Sequence, residues 1–310
     1  METDQLFEDI IELPDAEAKE RFERLIGVDE IKERLIKEAR ILLNPELLEE
    51  WSKKHHKKII PIVRTFQDRA SLFIFAGDIG TGKTTLAETF GDLVARQESI
   101  SVTLFRLSLN TRGRGAVGEM TRLISSAFDK VKEVAKERSS PGKKPSSAVI
   151  LVIDEADALT QSRELDQMHH EDRAGVNAVI RGIDSLAPAH LPVLIIMCTN
   201  RLSAIDPAVM RRAAAIFEFN RPNDEQRMEI LRRELAETNI KDEELAQLAK
   251  EMGAKDGKEY GFTYSDIINK FLPALLLEAF PDKPITFDDA KQIVESLSPT
   301  PPFKENHASK

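Results

Sequence analysis

Gly77-Asp78-Ile79-Gly80-Thr81-Gly82-Lys83-Thr84 satisfies the pattern G-x-x-x-x-G-K-[ST], and its flanks constrain the fold more than the pattern itself. The apolar run Leu72-Phe73-Ile74-Phe75 precedes it, and a helical pattern from Thr85 to Val94 follows. A strand, a glycine-rich loop and a helix in that order let the backbone wrap inward, so that its N–H groups face a phosphate at the helix's positive end. Gly77, Asp78, Ile79, Gly80, Thr81, Gly82, Lys83, Thr84 and Thr85 are therefore expected to hold a nucleoside triphosphate. In such a loop Lys83 reaches the β and γ oxygens and the Thr84 hydroxyl ligates Mg²⁺.

Short apolar runs alternate with longer helical patterns along the chain. Leu72 to Phe75, Val102 to Leu107, Val149 to Ile153 and Val193 to Cys198 read as strands, and Ala215-Ile216-Phe217-Glu218-Phe219 as a fifth. Alternation of this kind predicts an α/β fold, a five-stranded parallel sheet with flanking helices. A helix is expected from about Glu119 to Glu137, and the Ser/Pro/Gly/Lys stretch 139–147 reads as a surface loop. Beyond Arg221-Pro222 only helical patterns remain: one opened by Asn223 and Gln226 as a capping pair, then Lys241 to Glu251, Thr263 to Phe280 and Phe287 to Leu297. The expected organisation is a short N-terminal extension over 1–24, a large α/β domain over 25–220, a small helical lid over 221–298 and a disordered tail over 299–310.

A formal net charge of -9 argues against an extended nucleic-acid footprint. The run Lys53-Lys54-His55-His56-Lys57-Lys58 is the local exception and reads first as a solvated helix end. No apolar stretch approaches the roughly 18 residues of a membrane span, and Met1-Glu2-Thr3-Asp4-Gln5 has no secretory character. A cytoplasmic protein with no membrane and no stable nucleic-acid partner is expected. Cys198, the one cysteine, lies within an apolar run and reads as a small buried hydrophobe.

Leu151-Val152-Ile153-Asp154-Glu155 is an apolar strand ending in two acids. At the carboxyl edge of a parallel sheet, where α/β ligands sit, Asp154 would hold Mg²⁺ through water, sharing it with Thr84. Glu155 would polarise an attacking water, which favours hydrolysis over mere binding. A nucleotide kinase or a regulatory GTPase would not need that second acid, and no Asn-Lys-x-Asp guanine motif is present.

With these motifs in order, the sequence resembles the AAA+ ATPases. Ile26-Gly27-Val28-Asp29 looks like the family's adenine-side segment, and Arg173 to Val179 like the helix after the second acidic motif. Cys198-Thr199-Asn200 resembles the sensor strand, Ile205 to Arg212 the segment carrying the arginine finger, and Gly261 to Ile267 the lid motif. The resemblance implies ATP and Mg²⁺ as cofactors, with Ile26 and Gly27 at the adenine and Asn200 on the γ-phosphate or the lytic water. It also implies a homo-hexameric ring in which Arg212, helped by Arg211, acts on the neighbouring subunit's γ-phosphate; which of the two is the finger stays open.

Within that family, Asp157 to Arg163 followed by Arg173 to Val179 looks most like the pachytene-checkpoint remodellers and their bacterial antiphage-defence branch. That resemblance implies a HORMA-domain substrate, opened by pulling its end through a central pore lined by Ala116, Val117 and Gly118. Three departures stand out. Little chain precedes Ile26 for a recruitment domain, so recruitment is expected to be direct. Ala116 stands where the family usually shows an aromatic, which leaves the grip to Val117; Ser265 stands where the eukaryotic branch carries a lid arginine. His169-His170 reads as a solvated loop. A different remodeller, such as a microtubule-severing enzyme, remains an alternative. So does a DNA-directed loader, for which Arg112 and Arg114 are the pore-region cations, or a scaffold without turnover, against which Lys83, Asp154, Glu155 and Asn200 argue.

Overall fold

The computed structural model describes residues 6–44, 46–107, 119–137, 145–158, 170–186, 191–255 and 259–303. The chain forms two compact units. Met1–Arg24, Glu30–Ala76 and Thr84–Glu218 make the first; Leu25–Asp29, Gly77–Lys83 and Phe219–Lys310 make the second.

The first unit is built on a sheet of β1 (Phe7–Leu13), β2 (Leu72–Gly77), β3 (Ser101–Leu107), β4 (Ser147–Ile153), β5 (Val193–Thr199) and β6 (Ala215–Phe219), in the order β1-β3-β4-β5-β2-β6. All five expected strands form. β3, β4, β5 and β2 pair in parallel, with Leu104 opposite Ile150, Leu151 opposite Ile195 and Phe73 opposite Ile196. Every residue of β4 and β5 is buried, as the unbroken Val/Ile/Leu runs require of strands covered on both faces.

Among the described residues the sheet has six strands rather than five. β1 runs antiparallel along the edge of β3, with Leu13 opposite Val102 and Ile10 opposite Phe105. It lies within the segment read from sequence as an extension. Its pattern does not alternate, because a register shift between Phe7 and Asp9 breaks the period of two and Ile10 sits 41% exposed at the edge.

Helices Glu119–Glu137 and His170–Leu186 pack on the sheet through Leu123, Ile124, Phe128, Val176, Val179 and Ile183. They also pack on each other, so closely that a Cβ on Gly182 would stand 2.4 Å from the Phe128 ring. Helix Lys83–Glu98 carries three buried acids, each held by the N-terminal part of the chain. Arg21 and Arg106 donate to Glu88 at 2.7 and 3.0 Å, the Asp15 N–H to Asp92 at 2.7 Å, and Arg40 and Asn44 to Glu98 at 2.6 and 3.0 Å. Buried carboxylates are costly without such partners. The basic run ends helix Glu46–His56 with Lys53 to Lys58 exposed, a solvated helix end.

In the second unit every described element from Asp224 to Ser296 is helical. Helices Asp224–Glu234 and Asp242–Glu251 pack on a long rod that runs as Tyr264–Asp266, a π-helical turn Ile267–Phe271, and Leu272–Ala279; Phe287–Ser296 follows. Pro273 has no N–H to return to the preceding turn, and the wider π turn lies where that hydrogen bond would fall. Leu231, Leu248, Met252, Phe262, Phe271, Leu275 and Val294 form the core, with Ile26 inserted among them. The expected capping pair is present: Asn223 and Gln226 exchange side-chain-to-backbone hydrogen bonds, both 2.9 Å.

The segment read as a disordered tail begins with ordered contacts. Thr300 donates from N to Asp266 Oδ2 at 3.0 Å and from Oγ1 to Asp266 Oδ1 at 2.6 Å. Residues 304–310 lie outside the described chain.

Candidate functional site

In the first unit, three expected catalytic positions emerge at the carboxyl edge of adjacent strands. Asp154 and Glu155 follow β4, and Asn200 follows β5, its neighbour in the sheet. Thr84, in the first turn of helix Lys83–Glu98, donates its hydroxyl to Asp154 Oδ2 at 3.0 Å. Two residues 70 positions apart are thus brought together as a hydroxyl and a carboxylate, hard oxygen donors of the kind Mg²⁺ takes while keeping water in its remaining positions. Glu155 is exposed and sits at φ 48°, in the left-handed region that a non-glycine residue enters at a cost of about 1 kcal/mol or more. Its N–H donates to Asp154 Oδ1 at 2.9 Å.

Sequence reasoning passed over Asp157, which the fold places in a supporting position. It is buried, accepts the Thr199 hydroxyl at 3.1 Å and pairs with Arg201 at 3.5 Å, while the Arg201 N–H donates to Thr199 Oγ1 at 3.0 Å. Both neighbours of Asn200 are therefore held by the short turn Ala156–Ala158 that follows β4. A third acid, so soon after Asp154 and Glu155, was the available signal.

Arg211 and Arg212 follow the short helix Pro207–Met210, whose first turn Asp206 caps through the Ala208 N–H at 2.8 Å. They are not equivalent. Arg211 is exposed, whereas Arg212 makes a two-pronged pair with Asp184 at 2.6 and 2.8 Å and donates to the Ala208 carbonyl at 2.8 Å. The Asp184 hydrogen bonds raise the already high pKa of Arg212. Nothing local in the sequence marks Asp184, which lies 28 residues upstream in the last turn of helix His170–Leu186.

The second unit holds the glycine loop from Gly77 to Lys83. Lys83 is buried and donates from Nζ to the carbonyls of Gly77 at 3.0 Å and Asp78 at 2.7 Å. The Thr81 hydroxyl donates to the Asp78 carbonyl at 2.8 Å, and Ile79 is exposed. Gly80 lies at φ 74°, and a Cβ there would come within 2.7 Å of Ser265 Cβ and 2.8 Å of Thr263 Oγ1. Only glycine fits. Gly27 answers the same need in the segment expected at the adenine, with φ 73° and the Tyr264 hydroxyl 2.3 Å from where its Cβ would be. Its carbonyl accepts from Gln226 Nε2 at 2.8 Å. Burial, with Asp29 and Glu229 nearby, pushes the Tyr264 hydroxyl up to about 12. Gly82 belongs to the motif, and Thr85, just after it, accepts the Thr89 hydroxyl at its carbonyl at 2.6 Å.

Ala116, Val117 and Gly118 lie outside the described residues, as do Arg112, Arg114 and His169. Among the described residues no helix is long and apolar enough to cross a membrane.

Residues 73–221 match the model of the ATPase family associated with various cellular activities. The chain is 51% identical over 300 residues to CD-NTase-associated protein 6 of Escherichia coli strain MS 115-1, covering 97% of this chain and 96% of that one. Against the protein of the same name from strain KTE188 the identity is 37%, over 97% and 98% of the two chains. Among solved structures it is similar to a chain of the E. coli MS115-1 HORMA:CdnC:Trip13 complex, with TM-score 0.92 and 50% identity over 98% of this chain and 99% of that one. It is also similar to Rhizobiales Trip13, with TM-score 0.76 and 41% identity over 96% and 100%. An acid pair beside a threonine hydroxyl, a glycine loop closed by its lysine, and relatives matched nearly end to end place the chain in the family of the Trip13-like CD-NTase-associated protein 6 proteins, which are AAA ATPases.

Proposed function

We propose that this ATPase works as a closed ring of identical subunits, a homo-hexamer in the cytoplasm, that pulls on a HORMA-domain protein and converts its closed, peptide-bound form to the open form. The signalling complex of which that protein is part would then switch off. What carries the reading is the near-complete likeness to the Trip13 chain of a HORMA:CdnC:Trip13 complex. Detaching one peripheral element is a feasible task, since whole domains are stable by only about 5–15 kcal/mol and local opening costs less.

In this reading Gly77 to Thr85 hold ATP, with Ile26 and Gly27 toward the adenine and Lys83 on the β and γ oxygens. Thr84 and Asp154 hold Mg²⁺, which when bound neutralises charge on those oxygens. Glu155 orients the attacking water and Asn200 contacts it or the γ-phosphate. Arg212, with Arg211, serves the pocket of the next subunit, which requires a head-to-tail interface that closes on itself. Ala116, Val117 and Gly118 line the pore and grip the substrate chain.

The test is a trap. Glu155→Gln is expected to bind ATP, assemble and stall on its substrate, so affinity capture from the host followed by mass spectrometry should return a HORMA-domain protein. Capture of DNA or of a tubulin tail instead would refute the assignment.

A further inference from the structure

The phosphate loop contains a carboxylate. Asp78 occupies its second position, and a fixed negative charge there opposes a triphosphate unless it is cancelled. Arg221 is placed to cancel it. Its Nε donates to Asp78 Oδ2 at 2.7 Å, Nη1 to the Gly261 carbonyl at 2.6 Å and Nη2 to the Thr300 carbonyl at 2.8 Å, while the guanidinium lies 5.0 Å from the Tyr260 ring centroid. The two side chains are only 15% and 17% exposed, so the pair is shielded from most solvent screening. The other Asp78 oxygen accepts the Ile79 N–H at 2.8 Å.

The same junction reaches the loop a second time. Thr300 is bound to Asp266, a carboxylate 1% exposed, and Lys270 donates to both, at 2.8 Å to Thr300 Oγ1 and 2.6 Å to Asp266 Oδ1. One residue before Asp266, the Ser265 N–H donates to the Gly80 carbonyl at 3.1 Å. Residue 300 is thus tied to the loop at Asp78 through Arg221 and at Gly80 through Asp266 and Ser265.

From this arrangement we infer that Arg221 is a positioning residue for nucleotide binding, cancelling the Asp78 charge inside the loop and coupling the loop's shape to the C-terminal segment at Thr300. The inference rests on the reading that Gly77 to Thr85 hold the triphosphate. Its chemistry is specific: Arg221 acts through Asp78, and its value to the site depends on Asp78 being charged.

The test is a double-mutant cycle on the full-length chain, with a fluorescent N-methylanthraniloyl ATP as probe. Arg221→Ala is expected to weaken binding about tenfold or more, and Asp78→Asn added to it to restore most of that loss. Arg221→Gln, which keeps hydrogen-bonding capacity without charge, carries the same cycle should the alanine variant fail to fold. If the double variant binds no better than the Arg221 single variant, or if the single variant binds like wild type, the inference is overturned. Lys83→Ala serves as the control. Equal probe binding by Lys83→Ala and wild type would bring down the loop assignment itself, a result distinct from failure of the cycle.

Discussion

Glu155, the proposed base, sits in a conformation that costs something locally. Glu155 combines solvent exposure with a left-handed backbone, held by the Asp154 carboxylate on its own N–H. Exchanging its carboxylate for an amide is expected to leave that geometry alone while removing the proposed base. Glu155→Gln should therefore lower phosphate release about 10²–10⁴-fold with nucleotide affinity retained, measured by coupled release and by fluorescence titration. Asp154→Asn removes the charge that faces the Thr84 hydroxyl, and should raise the Mg²⁺ concentration needed for half-maximal turnover. These positions were legible because spacing along a motif fixes them. Asp157 and Asp184 were not, since their partners Thr199 and Arg212 lie 42 and 28 residues away and only the fold joins them. The same holds more strongly for Arg221 and Asp78, at a separation of 143.

Elements formed where local chemistry and burial agreed. Burial on both faces gave β4 and β5 continuous apolar runs, and the Asn223 and Gln226 pair marked a helix start that the structure reproduces. The C-terminal segment misled for the opposite reason: its proline-rich composition says little about order, whereas Thr300 gains it through one buried carboxylate. Burial alone would raise the Asp266 pKa. Hydrogen bonds from Lys270, from the Thr263 N–H and from Thr300 overcome it and hold the group well below the usual carboxylate range. A carboxylate depressed in the folded state stabilises fully above its unfolded pKa near 4, and that contribution fades as pH falls below it. The urea midpoint should thus be insensitive to this group above about pH 5 and fall on acidification below about pH 4. Asp266→Asn should cost about 1–3 kcal/mol at pH 7 and flatten the acid limb; an unchanged limb would show that Asp266 does not govern it.

For the whole molecule, the distinguishing expectation concerns copies of the chain acting on one another. If Arg212 serves a neighbour's nucleotide, turnover per subunit should fall on dilution through the assembly's dissociation range, and Arg212→Ala should bind nucleotide normally yet lose about 10³-fold or more in rate. Full turnover by a diluted monomer would rule this out. The sheet in each copy has its own vulnerability. β3 would otherwise present an open row of amide and carbonyl groups, and β1, with Glu8, Asp9 and Glu12 along it, covers that row with a strand whose charges discourage further pairing. Cutting away the first thirteen residues would leave every motif of the nucleotide site intact and still yield a sticky protein, prone to aggregate edge to edge.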